Sequence, residues 1–153
     1  RSSDLIHLSL LLFRTKICLI LLILQSLSLC SDLQKLTALR TQRRSLGGQA
    51  IGLYFLSNMP VPYARTLERM NPFLNEFDGG IFSGDELLIK PEPAIYQCLQ
   101  TRYALEPAKT VFLDDLLPNI QAAQAEGWHG IHFHNAQQST QELQALGLSE
   151  ISL

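Results

Sequence analysis

The chain has little cysteine, little excess charge and no apolar run of membrane-spanning length. Its three cysteines, Cys18, Cys30 and Cys98, are odd in number and form no C-x-x-C pair. That argues against a disulfide framework or a zinc site and fits a reducing, cytoplasmic compartment. A net charge of −2 offers no basic footprint, so nucleic acid is not an expected partner. The apolar block from Ile17 to Leu24 has eight residues, against the ~20 that cross a bilayer, so a membrane is not expected either. Arg14 and Lys16 ahead of that block resemble a signal peptide, and Cys30 a lipid-anchor cysteine. Bulky Leu29, however, stands where a small residue is expected before a cleavage site, and the chain begins with Arg1 instead of Met. Residues 1–30 are therefore read as an atypical leucine-rich leader, with export or anchoring through them as the alternative. Residues 31–153 are read as the folded core. Nothing in the sequence fixes an oligomeric state.

What is present is one domain's worth of ordinary globular sequence: 153 residues, 46% hydrophobic and 17% charged. "SDLQKLTALRTQRR" has a cap signal at Ser31, Gln34 three residues later, and Leu33, Leu36 and Leu39 at helical spacing. "IGLYFL" (Ile51 to Leu56) is a continuous apolar strand, and Pro60 and Pro62 open a helix with Tyr63, Leu67 and Met70 on one face. After the turn-rich "NPFLNEFDGG" comes a short strand, "IFSG", and then a helix expected to begin at Pro91 and to carry Ile95, Leu99 and Tyr103. "TVFL" is a strand, "PNIQAAQAEG" a helix stopped by Gly127, "HGIHF" a strand, and "STQELQALG" a last helix with a cap signal at Ser139 or Thr140. Alternation of this kind predicts an α/β fold: a Rossmann-like three-layer sandwich around a mostly parallel sheet.

In such sheets ligands bind beyond the carboxyl ends of the strands. Ser57 and Asn58 follow the first of these strands, Lys90 follows the second across a short loop, and Asp114 and Asp115 follow "TVFL". One crevice would then hold a hydroxyl and an amide, an ammonium, and a carboxylate pair. A hydroxyl with neighbouring N–H groups at a strand-to-helix turn can hold phosphate oxygens. A lysine can neutralise a phosphoryl group. Paired carboxylates repel each other unless something cationic joins them, and Mg²⁺ takes carboxylate and phosphate oxygens together. His129, His132 and His134 are read as polar residues at a strand end, Trp128 and Phe133 as core, and Cys98 as a small buried hydrophobe.

In this order, "YFLSN", "IKPEPAIY" and "VFLDDLLPNIQAAQAEGW" resemble the second, third and fourth motifs of the haloacid dehalogenase-like (HAD) hydrolase superfamily. The resemblance runs from about Ser31 to Leu148 and is to the small-molecule phosphatase branch, which includes sugar-phosphate phosphatases and the phosphatase-like domain of soluble epoxide hydrolases. Dehalogenases of the superfamily carry Ser-Asn type residues at the acidic pair, and response-regulator receivers place their acids first in the chain. Neither fits. The resemblance implies Mg²⁺ as cofactor, a small phosphate ester as substrate and an aspartyl-phosphate intermediate. By the same resemblance Asp115 would be the direct metal ligand and Asp114 its orienting partner. Ser57 and Asn58 would hold the phosphoryl group, Lys90 would neutralise it, and Asn119 would brace the acidic loop.

One piece is missing. The superfamily's first motif is a strand ending in D-x-D, whose first Asp attacks phosphorus. Before Ser57 the chain has only Asp4 and Asp32, followed two positions on by Ile6 and Gln34. The chain therefore reads as the C-terminal part of a phosphatase core, inactive alone; the alternative is a non-catalytic, phosphate-binding remnant of the same fold. The slot of the missing strand, at the centre of the sheet, is expected to be taken by "CLILLIL" of the leader.

Overall fold

The computed structural model describes residues 18–21, 51–70 and 72–148. Five parallel strands form one sheet: β1 (Cys18–Leu21), β2 (Gly52–Ser57), β3 (Gly79–Phe82), β4 (Thr110–Asp114) and β5 (His129–His132), in the order β3-β2-β1-β4-β5. The helices are α1 (Val61–Met70), the single turn α2 (Ser83–Glu86), α3 (Pro93–Arg102), α4 (Leu117–Ala125) and α5 (Ala136–Ala145). Short 3₁₀ turns cover Pro72–Glu76 and Pro107–Lys109. This is the expected α/β architecture. The helix expected from Ser31, and the leader apart from β1, lie outside the described residues.

β1 comes from the leucine-rich stretch and takes the central slot, pairing Leu21 with Phe55 on one side and with Leu113 on the other. A central strand of a parallel sheet is covered on both faces, so a run such as Cys-Leu-Ile-Leu suits it better than an alternating one.

Side chains two apart on a strand leave the same face. Tyr54, Leu56, Ile81 and Phe112 meet Ile95, Tyr96 and Leu99 of α3 and Ile120 and Ala123 of α4 in one buried cluster. Leu53, Val111, Leu113 and Ile131, which alternate with these, are buried as well, as are Ala64 of α1 and Leu143 of α5. Tyr96, Phe112 and Trp128 form the centre of the cluster, with ring centroids 5.5–6.0 Å apart and the rings close to edge-on. Each such pair adds roughly 0.5–1.5 kcal/mol beyond the area it buries.

Several elements begin or face differently from the sequence expectation. Helix α3 starts at Pro93, not Pro91, and the Lys90–Pro91 peptide is cis. A proline disfavours helical backbone in the residue before it, so the second proline of "KPEP" is the one that fits the first helical turn. Helix α5 is capped by Asn135, whose side chain accepts from the Gln138 N–H, so Ser139 and Thr140 lie within the helix. On α1 the buried residue is Ala64, while Tyr63 and Met70 are 69% and 72% exposed. Trp128 is core as expected, whereas Phe133 is half-buried. Cys98 is also half-buried, its Sγ 3.8 Å from Glu86 and 3.7 Å from Arg102.

Two local devices fix the frame. Gly127, at φ +85°, closes α4: its N–H donates to the Gln124 carbonyl at 3.0 Å and the next N–H, of Trp128, to Ala123 at 3.1 Å. Edge strand β3 has its backbone taken up by Tyr103, whose hydroxyl accepts from the Gly80 N–H at 2.9 Å and donates to the Gly80 carbonyl at 3.1 Å.

Phe112→Ala should cost about 3–5 kcal/mol in urea unfolding, because it empties the centre of the aromatic cluster. The exposed Gln121→Ala should stay within about 0.5 kcal/mol of the parent chain in the same measurement.

Candidate functional site

The site is built from the carboxyl ends of β2 and β4 and the loop between β3 and α3. Asp114 is the last residue of β4 and leaves the same face as Phe112, so its carboxylate enters an apolar layer and is 1% exposed. An ionised carboxylate there needs partners, and it has three. The Lys90 ammonium lies 2.9 Å from Oδ2, the Asn119 amide donates to the same oxygen at 2.9 Å, and the Leu116 N–H donates to Oδ1 at 2.8 Å. Asn119 is itself buried on α4, and its carbonyl accepts from the Tyr96 hydroxyl at 3.0 Å. Burial, reinforced by the charge on Asp114, pushes the Tyr96 phenol well above its ordinary range.

Lys90 reaches this carboxylate because Asn58 holds its backbone on both sides. The Lys90 N–H donates to Asn58 Oδ1 at 2.9 Å, and Asn58 Nδ2 donates to the Lys90 carbonyl at 3.0 Å. The ammonium also sits 5.6 Å from the Phe112 ring centroid, within cation–π range. A second tie joins the same loops: Ser83 Oγ accepts from the Met59 N–H at 2.8 Å, and the Gly84 N–H donates to the Met59 carbonyl at 3.0 Å. Ser57 closes β2 and is buried.

Lys90, Asp114 and Asn119 thus form one hydrogen-bonded cluster that Asn58 steadies from outside. Asp115 differs from Asp114 in kind. It is exposed, and among the described residues its carboxylate has no hydrogen bond. Its main-chain carbonyl lies 2.9 Å from His132 Nε2. Sequence reasoning missed both Tyr96 and His132. The Tyr96 contact crosses between two helices, and the His132 contact depends on β5 lying beside β4 with Asp114 opposite His132, neither of which a linear pattern displays. His132 and His134 have ring centroids 4.3 Å apart. Among the described residues no group of three or more His, Cys, Asp or Glu is placed to hold a metal ion.

Burial lowers the Lys90 ammonium from its ordinary value of 10.5, and the Asp114 and Asp115 carboxylates push it back up. The net direction is down, so the unfolded chain holds this proton more tightly than the folded one. The contribution of Lys90 to stability therefore grows as pH rises from the depressed value towards 10.5. At neutral pH the pair matters most through what happens when one partner is lost. Lys90→Met should cost about 3–5 kcal/mol in urea unfolding, because it strands a buried carboxylate. Lys90→Met combined with Asp114→Asn should cost clearly less than the sum of the two single changes. Additive costs would show that the two groups do not depend on each other.

No protein-family profile matches the chain. It is 34% identical over 103 residues to a sesquiterpene phosphatase from Aspergillus oryzae, a match covering 67% of this chain and 53% of that protein. The chain thus spans about half the length of this curated relative. An uncharacterised protein from Corynebacterium glutamicum has the same fold, with a TM-score of 0.69 at 21% identity over 88% of this chain and 94% of that one. A HAD-family enzyme from Bacteroides thetaiotaomicron, solved with magnesium and inorganic phosphate, superposes at a TM-score of 0.58 and 23% identity, over 69% of this chain and 51% of that one. At these identities the two structures speak for the fold, and the Aspergillus protein for the sequence. The resemblance carried by the three motifs is supported: the chain has the fold of HAD-family hydrolases, and a phosphatase is among its sequence relatives.

Proposed function

We propose that this chain carries the phosphate-holding part of a Mg²⁺-dependent phosphomonoester hydrolase that works on a small phosphate ester. The observation that carries the reading is the Lys90 ammonium. Its side chain is 1% exposed, and among the described residues it makes one hydrogen bond, to Asp114. An ammonium has three donors. A charge so buried with two donors unmet calls for a further oxygen, and a phosphoryl oxygen in the crevice supplies one. The Ser57 hydroxyl, buried at the end of β2, would add a neutral donor for the same group.

The residues present also suit a metal, with a division of labour. Asp114 is engaged on both oxygens, so its role is to hold Lys90 and the loop. Asp115, exposed and unengaged, is the carboxylate that would hold Mg²⁺, an ion commonly bound through one or two carboxylates and substrate phosphates. Held there, such an ion would offset negative charge on a phosphoryl group in the crevice. Asn119, through its bond to Asp114 Oδ2, keeps the acidic loop in place. The odd cysteine count fits a reducing, cytoplasmic compartment; among the described residues, no helix is long and apolar enough to cross a membrane.

These groups position a phosphoryl group and neutralise it, but none of them attacks it. In the superfamily that carboxylate follows the central strand, and after Leu21 this sequence reads Leu22, Ile23, Leu24. The chain alone is therefore a phosphate-binding module whose hydrolytic chemistry needs an acid pair it does not carry.

With p-nitrophenyl phosphate and Mg²⁺, the chain should show turnover indistinguishable from buffer. Mg²⁺-dependent turnover that Asp115→Asn abolishes would overturn this. Asp115→Asn should also weaken Mg²⁺ binding by about tenfold or more, read from the Asp115 loop amides by NMR.

A further inference from the structure

The large apolar side chains left exposed are not scattered. Among the described residues they are Val61, Tyr63, Leu87, Ile89, Leu116 and Leu117, with Met70 apart at the far end of α1. Val61 and Tyr63 lie in the first turn of α1 after β2, Leu87 and Ile89 on the segment between α2 and α3 after β3, and Leu116 and Leu117 at the start of α4 after β4, so all six belong to segments that follow the carboxyl ends of the strands. These loops are tied together by the Asn58–Lys90 and Ser83–Met59 hydrogen bonds and by the Leu116 N–H on Asp114. The mouth of the crevice therefore carries exposed apolar side chains on three of its segments, a rim above a polar floor.

Leu87 makes the case sharper. It is 92% exposed and has φ 55°, a left-handed conformation that a leucine adopts at a cost. Asparagine or glycine would suit both its backbone and its exposure better. The cations nearby are already committed: Arg65 pairs with Glu68 and Asp85, and Arg102 with Glu86 at 2.7 Å. A second phosphate would find both of these arginines already paired.

We propose that the rim receives the organic part of the ester and that the alcohol it suits is apolar, a linear or branched hydrocarbon. The inference rests on the phosphate-crevice reading above: with the phosphoryl group on the floor beside Lys90, the rest of the ester must leave through the mouth. There it covers side chains that otherwise face water, and each methylene it brings against them adds to affinity.

The test is an amide NMR titration of the full chain with inorganic phosphate, glucose 6-phosphate and hexyl phosphate, each with Mg²⁺. Hexyl phosphate should bind at least tenfold more tightly than the other two and should shift Leu87 and Leu117 along with Ser57 and Asn58. The Leu87→Asn, Leu117→Gln double variant should lose most of that advantage while binding inorganic phosphate within twofold of the parent. Leu87→Asn suits the left-handed backbone, so the variant is expected to fold, and its NMR spectrum reports this directly. Equal affinity for all three ligands, with phosphate still shifting Ser57 and Asn58, would overturn the apolar-ester proposal alone. So would a double variant that abolishes self-association of the chain and leaves hexyl phosphate binding unchanged, which would make the rim a contact between copies. If inorganic phosphate does not shift Ser57 and Asn58 at all, the crevice reading falls and takes this proposal with it.

Discussion

The structure of the site depends on one buried ion pair, Lys90 with Asp114. Removing two charges from water costs several kcal/mol per ion, and their attraction offsets this only when the remaining lone pairs and protons find partners. Much of the surrounding sequence meets that need. Asn119 and the Leu116 N–H complete the carboxylate, Tyr96 steadies Asn119, and Asn58 grips the backbone of Lys90 from both sides. Three loops that would otherwise be independent are thereby joined. The pair is better understood as what fixes their mutual position than as a source of net stability.

The same pair separates the two aspartates. Both are carboxylates in adjacent positions, yet strand alternation and the end of β4 send one inward and leave the other in water. Asp114 becomes structural because its oxygens are engaged, and Asp115 remains available because they are not. The repulsion expected between neighbouring acids is met on one side by Lys90. β1 fills the central slot with Cys, Leu, Ile and Leu, a run that is sound for a strand covered on both faces and that carries no acid.

Much of this was legible in the sequence. Alternating strands and helices, the Ser57-Asn58, Lys90 and Asp114-Asp115 positions, and the apolar run that supplies β1 follow from hydrophobic period, turn residues and topology rules. What failed has physical reasons. "KPEP" contains two prolines, and which one opens the helix turns on the backbone between them. Tyr63 and Met70 have the spacing of a buried face, but α1 buries only Ala64, since a small residue permits close approach while its neighbours look outward. Cys98 is apolar by composition, but its position between Glu86 and Arg102 is a tertiary fact. His132 against the Asp115 carbonyl depends on strand register, which no linear pattern carries.

The claim on which the rest stands is that the loops gathered by Lys90 and Asp114 form a site for a phosphoryl group and its metal. A crystal structure of the chain grown with Mg²⁺ and tungstate, a tetrahedral oxyanion dense enough to locate without ambiguity, tests this directly. The account predicts tungstate beside Ser57, Asn58 and the Lys90 ammonium, and a metal on the Asp115 carboxylate. Tungstate bound only elsewhere on the surface, with the Lys90–Asp114 cluster intact and Asp115 bare, would contradict it.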